Sequence, residues 1–255
     1  MKFRGKAVIV TGSSRGIGAA IARAFAREGA NVIVNYRDNE TAARDVVASC
    51  KEVGGDAVAV QADVTVEDAI QELVKITLKE FGRIDVLVNN AFKPFTFDPE
   101  NRKMFWDLTW QDFQTQIDGA LFSTYKLCQA TLPTFKKRTE GSIVNIASDL
   151  VARPTIPYHD YTTAKSALIG FTRNLAAELG PLGIRANCVA PGLVYPTEAS
   201  QQTKEQMKEM LIAQTPLRRI ATPEDVTGPV LFLASEWSEF MTGQTLYVDG
   251  GLVMN

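Results

Sequence analysis

Lys6-Ala-Val-Ile-Val-Thr11 runs directly into Gly12-Ser13-Ser14-Arg15-Gly16-Ile17-Gly18. The first six residues are mostly apolar and β-branched, which marks a strand buried on both faces of a parallel sheet. The glycines then permit a tight turn and a close approach of backbone to ligand. A helical pattern follows to Glu28 and Gly29 closes it; the apolar run Asn31–Tyr36 reads as a second strand. Strand, glycine turn, helix and strand form the unit that holds a dinucleotide, with its pyrophosphate at the helix N-terminus. The glycine spacing is Gly-x-x-x-Gly-x-Gly (Gly12, Gly16, Gly18), so context rather than the commoner G-x-G-x-x-G string carries the reading.

The same alternation continues along the chain. A helix is expected over 40–53, a strand over 56–61, and a helix from the capping-box-like Thr65-Val-Glu-Asp68 to Phe81. A fourth strand spans 84–90 and ends in Asn89-Asn90-Ala91. A long helix runs from Trp110 to Arg138, a fifth strand covers 142–147, and a helix carrying Tyr161 stops at Leu179-Gly180-Pro181. The sixth strand, 184–190, ends in Pro191-Gly192. Thr222-Pro-Glu-Asp225 starts another helix, and a seventh strand covers 244–248. The expected fold is α/β: a Rossmann-like, doubly wound, seven-stranded parallel sheet in three layers, with residues 1–255 forming one dinucleotide-binding and catalytic domain.

Composition narrows the function. A net charge of −2 gives no footprint for nucleic acid or an anionic membrane. Cys50, Cys128 and Cys188 are far apart and in apolar contexts, so free buried thiols are expected. One histidine and scattered cysteines leave little from which to build a soft-metal site. The short apolar start fits no signal or membrane span, so a cytoplasmic location is expected.

Chemistry concentrates at the carboxyl ends of the strands. Tyr161 and Lys165 are four apart, which on a helix sets their Cβ atoms about 5–6 Å from one another. An ammonium beside a phenol favours the phenolate, so the expectation is a lowered Tyr161 pKa. The second strand ends Asn35-Tyr36-Arg37, with no acid at its tip. Arg37 and Arg15 suit a 2′-phosphate, which favours NADP(H). The connection 92–110, with Phe92, Phe95, Phe97, Phe105, Trp106 and Trp110, is long and aromatic. It reads as a wall for an apolar substrate, a satellite core or a subunit contact. His159 stands near Tyr161 but reads as an incidental loop residue before a substrate contact.

Taken in order, these segments resemble the short-chain dehydrogenases/reductases. The resemblance rests on Thr11–Gly18, Asn89-Asn90-Ala91, Ser148 thirteen residues before Tyr161, Tyr161-x-x-x-Lys165, Pro191-Gly192 and Val248-Asp-Gly-Gly251. Within the family the chain looks most like the 3-oxoacyl-[acyl-carrier-protein] reductases. The resemblance implies Tyr161 as general acid, Lys165 holding the nicotinamide ribose and Ser148 on the substrate oxygen. It places Gly12, Gly16, Ile17 and Gly18 along the pyrophosphate, with Ser14, Arg15, Tyr36 and Arg37 toward the 2′-phosphate. Asp63 and Val64 would border adenine, Asn90 the adenosine side, and Pro191, Gly192 and Val194 the carboxamide. Three positions depart from the family pattern. Gln116 stands where the family has Asn in a proton relay, Phe92 where it has Gly, and Pro196 where it has Thr, with Thr197 following. The implied substrate is a small or acyl-carrier-bound carbonyl compound, and the implied assembly a homotetramer. A sugar, polyol or steroid dehydrogenase stays open, as does a non-catalytic NADP(H)-binding sensor or assembly protein.

Overall fold

The computed structural model describes residues 3–254. Its strands are β1 (Ala7–Val10), β2 (Asn31–Tyr36), β3 (Asp56–Gln61), β4 (Val86–Asn89), β5 (Gly141–Ile146), β6 (Ile184–Pro191) and β7 (Thr245–Val248). Its α-helices are α1 (Gly16–Arg27), α2 (Glu40–Glu52), α3 (Glu67–Phe81), α4 (Trp110–Ile117), α5 (Ser123–Arg138), α6 (His159–Leu179), α7 (Glu205–Gln214) and α8 (Pro223–Ala234). The strands form one parallel sheet in the order β3-β2-β1-β4-β5-β6-β7. The expected Rossmann-like architecture is therefore what the chain adopts.

The two-residue period of the strands divides the core. Val8, Val10, Val32, Val34, Val86 and Val88 face one side, packing with α1, α2 and α8. Ile9, Ile33, Leu87 and Ile143 face the other, packing with α3, α5 and α6. This explains strands that are apolar throughout rather than alternating. β1 and β4 lie side by side inside the sheet, and the chain reverses its winding between them. Ligands in such sheets lie in the crevice outside the carboxyl ends at that switch point.

Strand ends shift by a residue or two, and some larger features differ from expectation. β4 starts at Val86, although the Asp85 main chain still bonds Ala7 (2.9 Å) and Ser142 (3.0 Å); the Asp85 carboxylate accepts the Ala7 N–H at 2.8 Å and pairs with Arg83 and with Arg138 at 3.3 Å. Thr65 does not cap α3. Its hydroxyl donates to Asp63 at 2.7 Å, and the N-cap of α3 is Val66, which offers no side-chain cap. The helix expected over 110–138 is interrupted by a π-helical turn, Asp118–Phe122. Gly119 in that turn lies against Lys93: a Cβ there would stand 2.5 Å from the Lys93 nitrogen. Helix α7 gave no sequence signal, because Leu211 is its one buried residue and no apolar stripe marks it.

Candidate active site

The glycine turn is held from below. The Asn35 side chain accepts the Gly12 N–H at 3.0 Å and donates to the Ala62 carbonyl at 3.0 Å. Asn90 donates to the carbonyls of Thr11 (2.9 Å) and Gly12 (3.2 Å). Its amide therefore fastens the turn, a structural duty added to the adenosine-side position that the resemblance implies. Gly18 packs so tightly that a Cβ would lie 2.5 Å from the Gly12 oxygen. The N-terminus of α1 has no side-chain cap and no acid in its first turn. Its free N–H groups and dipole make a place for an anion.

From this turn a cavity of about 570 Å³ extends across the carboxyl edge of the sheet. Gly12, Ser14, Arg15, Gly16, Ile17, Gly18, Tyr36, Arg37, Asp63, Val64, Asn90, Pro191, Gly192 and Val194 all line it, as do Ser148, Tyr161 and Lys165. Gln116 is the exception. It is buried on α4 but is not among the residues that line the cavity. His159 is also outside the lining and packs its ring against Phe105 at 5.4 Å.

Arg15 pairs with Glu198 at 2.6 Å and Arg37 with Asp38 at 2.6 Å. Both pairs are largely exposed, so each contributes little and can yield to a stronger anion. The volume, the uncapped helix end and the two guanidinium groups fit a dinucleotide that carries phosphates.

At the far end of the cavity, Tyr161 is buried within aromatic rings. Phe95 stacks on it at 4.7 Å and Phe97 meets it edge-on at 5.4 Å. Phe97 also accepts from the Thr203 hydroxyl through its carbonyl and donates its N–H to the Ala199 carbonyl at 2.9 Å. The aromatic loop is thus fastened to the segment after β6. In the first half of 92–110, Phe92, Phe95 and Phe97 line the cavity, and Phe95 and Phe97 also pack in a small core with Leu150, Tyr158 and Tyr161, whereas Phe105, Trp106 and Trp110 are exposed.

The electrostatics correct one expectation. Burial raises the Tyr161 pKa above its ordinary value, a nearby Ser148 hydroxyl opposes this, and the Asp149 charge adds to it. The Lys165 ammonium donates to the Ile146 carbonyl at 2.7 Å and lies 5.7 Å from the Tyr161 ring centre. Burial brings Lys165 itself down to about 8. Desolvation disfavours the charged form of both groups because both are enclosed. Asp149, Tyr158, Thr197 and the α7 residues Met207 and Leu211 also line the cavity. Sequence reasoning missed them; for Asp149 the available signal was a carboxylate directly after Ser148 in a stretch otherwise destined for burial.

A family profile described as enoyl-(acyl carrier protein) reductase matches residues 12–253. The chain belongs to the short-chain dehydrogenase/reductase family. A 3-oxoacyl-[acyl-carrier-protein] reductase of Synechocystis sp. is 40% identical over 96% of both chains. A 3beta-hydroxysteroid dehydrogenase 1 of Eggerthella lenta is 36% identical over 99% of this chain and 95% of the relative. Among solved structures, a 7 alpha-hydroxysteroid dehydrogenase complexed with NADH and 7-oxo glycochenodeoxycholic acid superposes with a TM-score of 0.90 at 32% identity, covering 100% of this chain and 96% of the other. Family membership makes this chain a nicotinamide-dependent oxidoreductase acting on an alcohol–carbonyl pair. No described helix is long and apolar enough to cross a membrane.

Proposed function

We propose that the protein reduces a carbonyl on an apolar or acyl-like substrate to an alcohol with NADPH, 3-oxoacyl thioesters being the leading class. The observation that carries this reading is the gathering of Ser148, Tyr161 and Lys165 on one cavity wall that starts at the glycine turn. Ser14, Arg15, Tyr36 and Arg37 would hold the 2′-phosphate, Gly16, Ile17 and Gly18 the pyrophosphate, and Pro191, Gly192 and Val194 the carboxamide. When bound, the nicotinamide supplies the hydride.

The chain's own residues do the rest. Carbonyl reduction places negative charge on oxygen, which needs donors already aimed at it. Burial keeps the Tyr161 phenol protonated, so it holds the proton that the oxygen takes. The Ser148 hydroxyl gives a second hydrogen bond to the same oxygen. Lys165 fixes the ribose and, anchored on Ile146, resists displacement. The Phe95 and Phe97 rings exclude water from the phenol and meet the apolar part of the substrate. Gln116, buried on α4 and outside the lining, would act only indirectly, in the proton relay that the resemblance implies.

The hydroxysteroid-dehydrogenase relatives favour a second reading, in which the same aromatic wall takes a flat polycyclic ketone. Oxidation of NADPH and NADH against acyl-thioester, quinone, sugar and steroid carbonyls tests both. NADPH-dependent turnover of the thioester supports the first reading and turnover of the steroid alone the second. Tight NADPH binding without turnover of any carbonyl would make the protein a cofactor sensor instead.

A further inference from the structure

Asp149 follows Ser148 and lies on the cavity wall with only 5% of its surface exposed. No cation among the described residues pairs with it. Arg153, four residues on, is turned away to the Leu252 carbonyl and the Gln214 side chain. The Asp149 Oδ1 accepts from the Ser148 hydroxyl at 3.4 Å. Its Oδ2 packs on Gly192, where an added Cβ would stand 3.2 Å from it. Across the same glycine stands Asp249, whose oxygens already accept the N–H groups of Gly251 (3.0 Å) and Val253 (2.8 Å). Asp249 therefore offers Asp149 charge of the same sign and no hydrogen bond. A carboxyl group enclosed in this way, without a cation, is costly as an anion and acceptable as a neutral acid.

We propose that Asp149 is a substrate-specificity residue that donates a hydrogen bond to the second carbonyl oxygen of a β-dicarbonyl substrate, such as a 3-oxoacyl thioester, whose ketone oxygen is held by Ser148 and Tyr161. The inference rests on the carbonyl-reductase reading and narrows its substrate. Oδ1 sits within reach of the Ser148 oxygen, so the two side chains span adjacent polar groups of one ligand. Burial first, then the Asp249 charge, push the carboxyl up from 3.8 to about 7, which supplies the proton such a donor needs. The groups facing it are Ser148 beside it, Tyr161 on α6 and Asp249 after β7; none is a cation, and the backbone N–H groups of Leu150 and of Asp149 itself oppose the rise without reversing it. A neutral carboxylic acid serving as a donor inside an apolar site is established chemistry in enzymes.

The test compares kcat/KM for a short 3-oxoacyl thioester with that for a monoketone of the same length, in wild-type protein, Asp149→Asn and Asp149→Leu. The preference for the thioester should fall about 10- to 100-fold in Asp149→Leu, the loss expected when one buried hydrogen bond to ligand is removed. Asp149→Asn, whose amide still donates, should keep most of it. The wild-type preference should decline with rising pH as the carboxyl ionises, and that of Asp149→Asn should stay flat. A merely structural role would lower both substrates together and leave the ratio alone, so an unchanged ratio in Asp149→Leu overturns the proposal. So does an Asn variant that loses the preference as fully as Leu. Wild-type protein that reduces neither ketone refutes the carbonyl-reductase reading itself, a result distinct from the other two.

Discussion

Replacing Gly18 by Ala puts the fit of the dinucleotide cradle to a quantitative test. The added methyl carbon would lie 2.5 Å from the Gly12 oxygen, 2.6 Å from Asn90 Nδ2 and 2.9 Å from the Ser13 Cα. Two of these atoms are main chain. The third is held by its bonds to the Thr11 and Gly12 carbonyls, so no flexible side chain can move aside. Relief requires the turn to shift by roughly 1 Å against α1, and overpacking of this kind costs about 1–3 kcal/mol. Alanine returns at most ~1 kcal/mol of helix propensity. The net destabilisation is then about 1–2 kcal/mol, and the melting temperature should fall by roughly 2–8 °C for a chain of this size. Because the shift occurs where the pyrophosphate would lie, the Kd for NADPH should rise about tenfold or more, every 1.4 kcal/mol being a factor of ten. Fluorescence titration with NADPH and thermal unfolding read the two effects. Gly170→Ala on α6 is the control, since a Cβ there meets nothing within 4 Å. Wild-type affinity and melting temperature in Gly18→Ala would refute the close-packing account of the turn.

Other perturbations have equally definite outcomes. Tyr161→Phe should reduce kcat by about 10²–10⁴-fold, the range of one general acid, with NADPH affinity within a factor of about three in fluorescence titration. Lys165 has its pKa lowered from 10.5 to about 8 in the folded chain, so the unfolded chain binds more protons between these values. Stability measured by urea unfolding should therefore rise with pH across roughly pH 8–10.5, by up to about 3 kcal/mol, and Lys165→Met should flatten that rise. Asp85→Ala leaves the Ala7 N–H without its acceptor and strips Arg83 and Arg138 of a buried partner. A loss of about 3 kcal/mol is expected in the same assay. Arg37→Ala should weaken NADPH by about 10-fold or more while leaving NADH within a factor of about two, measured by paired titrations.

The fold was legible because every strand is apolar on both faces and the punctuation between elements is strong. Val8 and Val10 go to one layer and Ile9 to the other, which is what a continuous apolar run requires. The glycine turn and the Tyr161–Lys165 spacing were legible for a similar reason: each is a local pattern that dictates local geometry. Relations across the sheet were not. Nothing in sequence told that the Lys165 ammonium would settle on the Ile146 carbonyl and leave the Tyr161 phenol governed by burial. The π-helical turn contains Gly119, which lies against Lys93, a contact made by a loop that periodicity does not describe. Helix α7 escaped because one buried leucine makes no stripe. Asp149 was passed over because its environment comes from Gly192 and Asp249, residues far away in the chain.

The strand order also sets a timetable for the nascent chain. β1 and β2 can pair once about forty residues are available, yet the cleft between β1 and β4 has no second wall until residues 86–90 have been made. The far end of the cavity waits longer, because Phe97 is fastened to residues 199–203. Parallel pairings of this separation form slowly, since long loops must close before any contact rewards them. A nascent chain with β4 clear of the ribosome but β6 not yet made would thus present a cradle for the phosphates with no chamber for a ketone, and the two binding abilities should appear at different chain lengths.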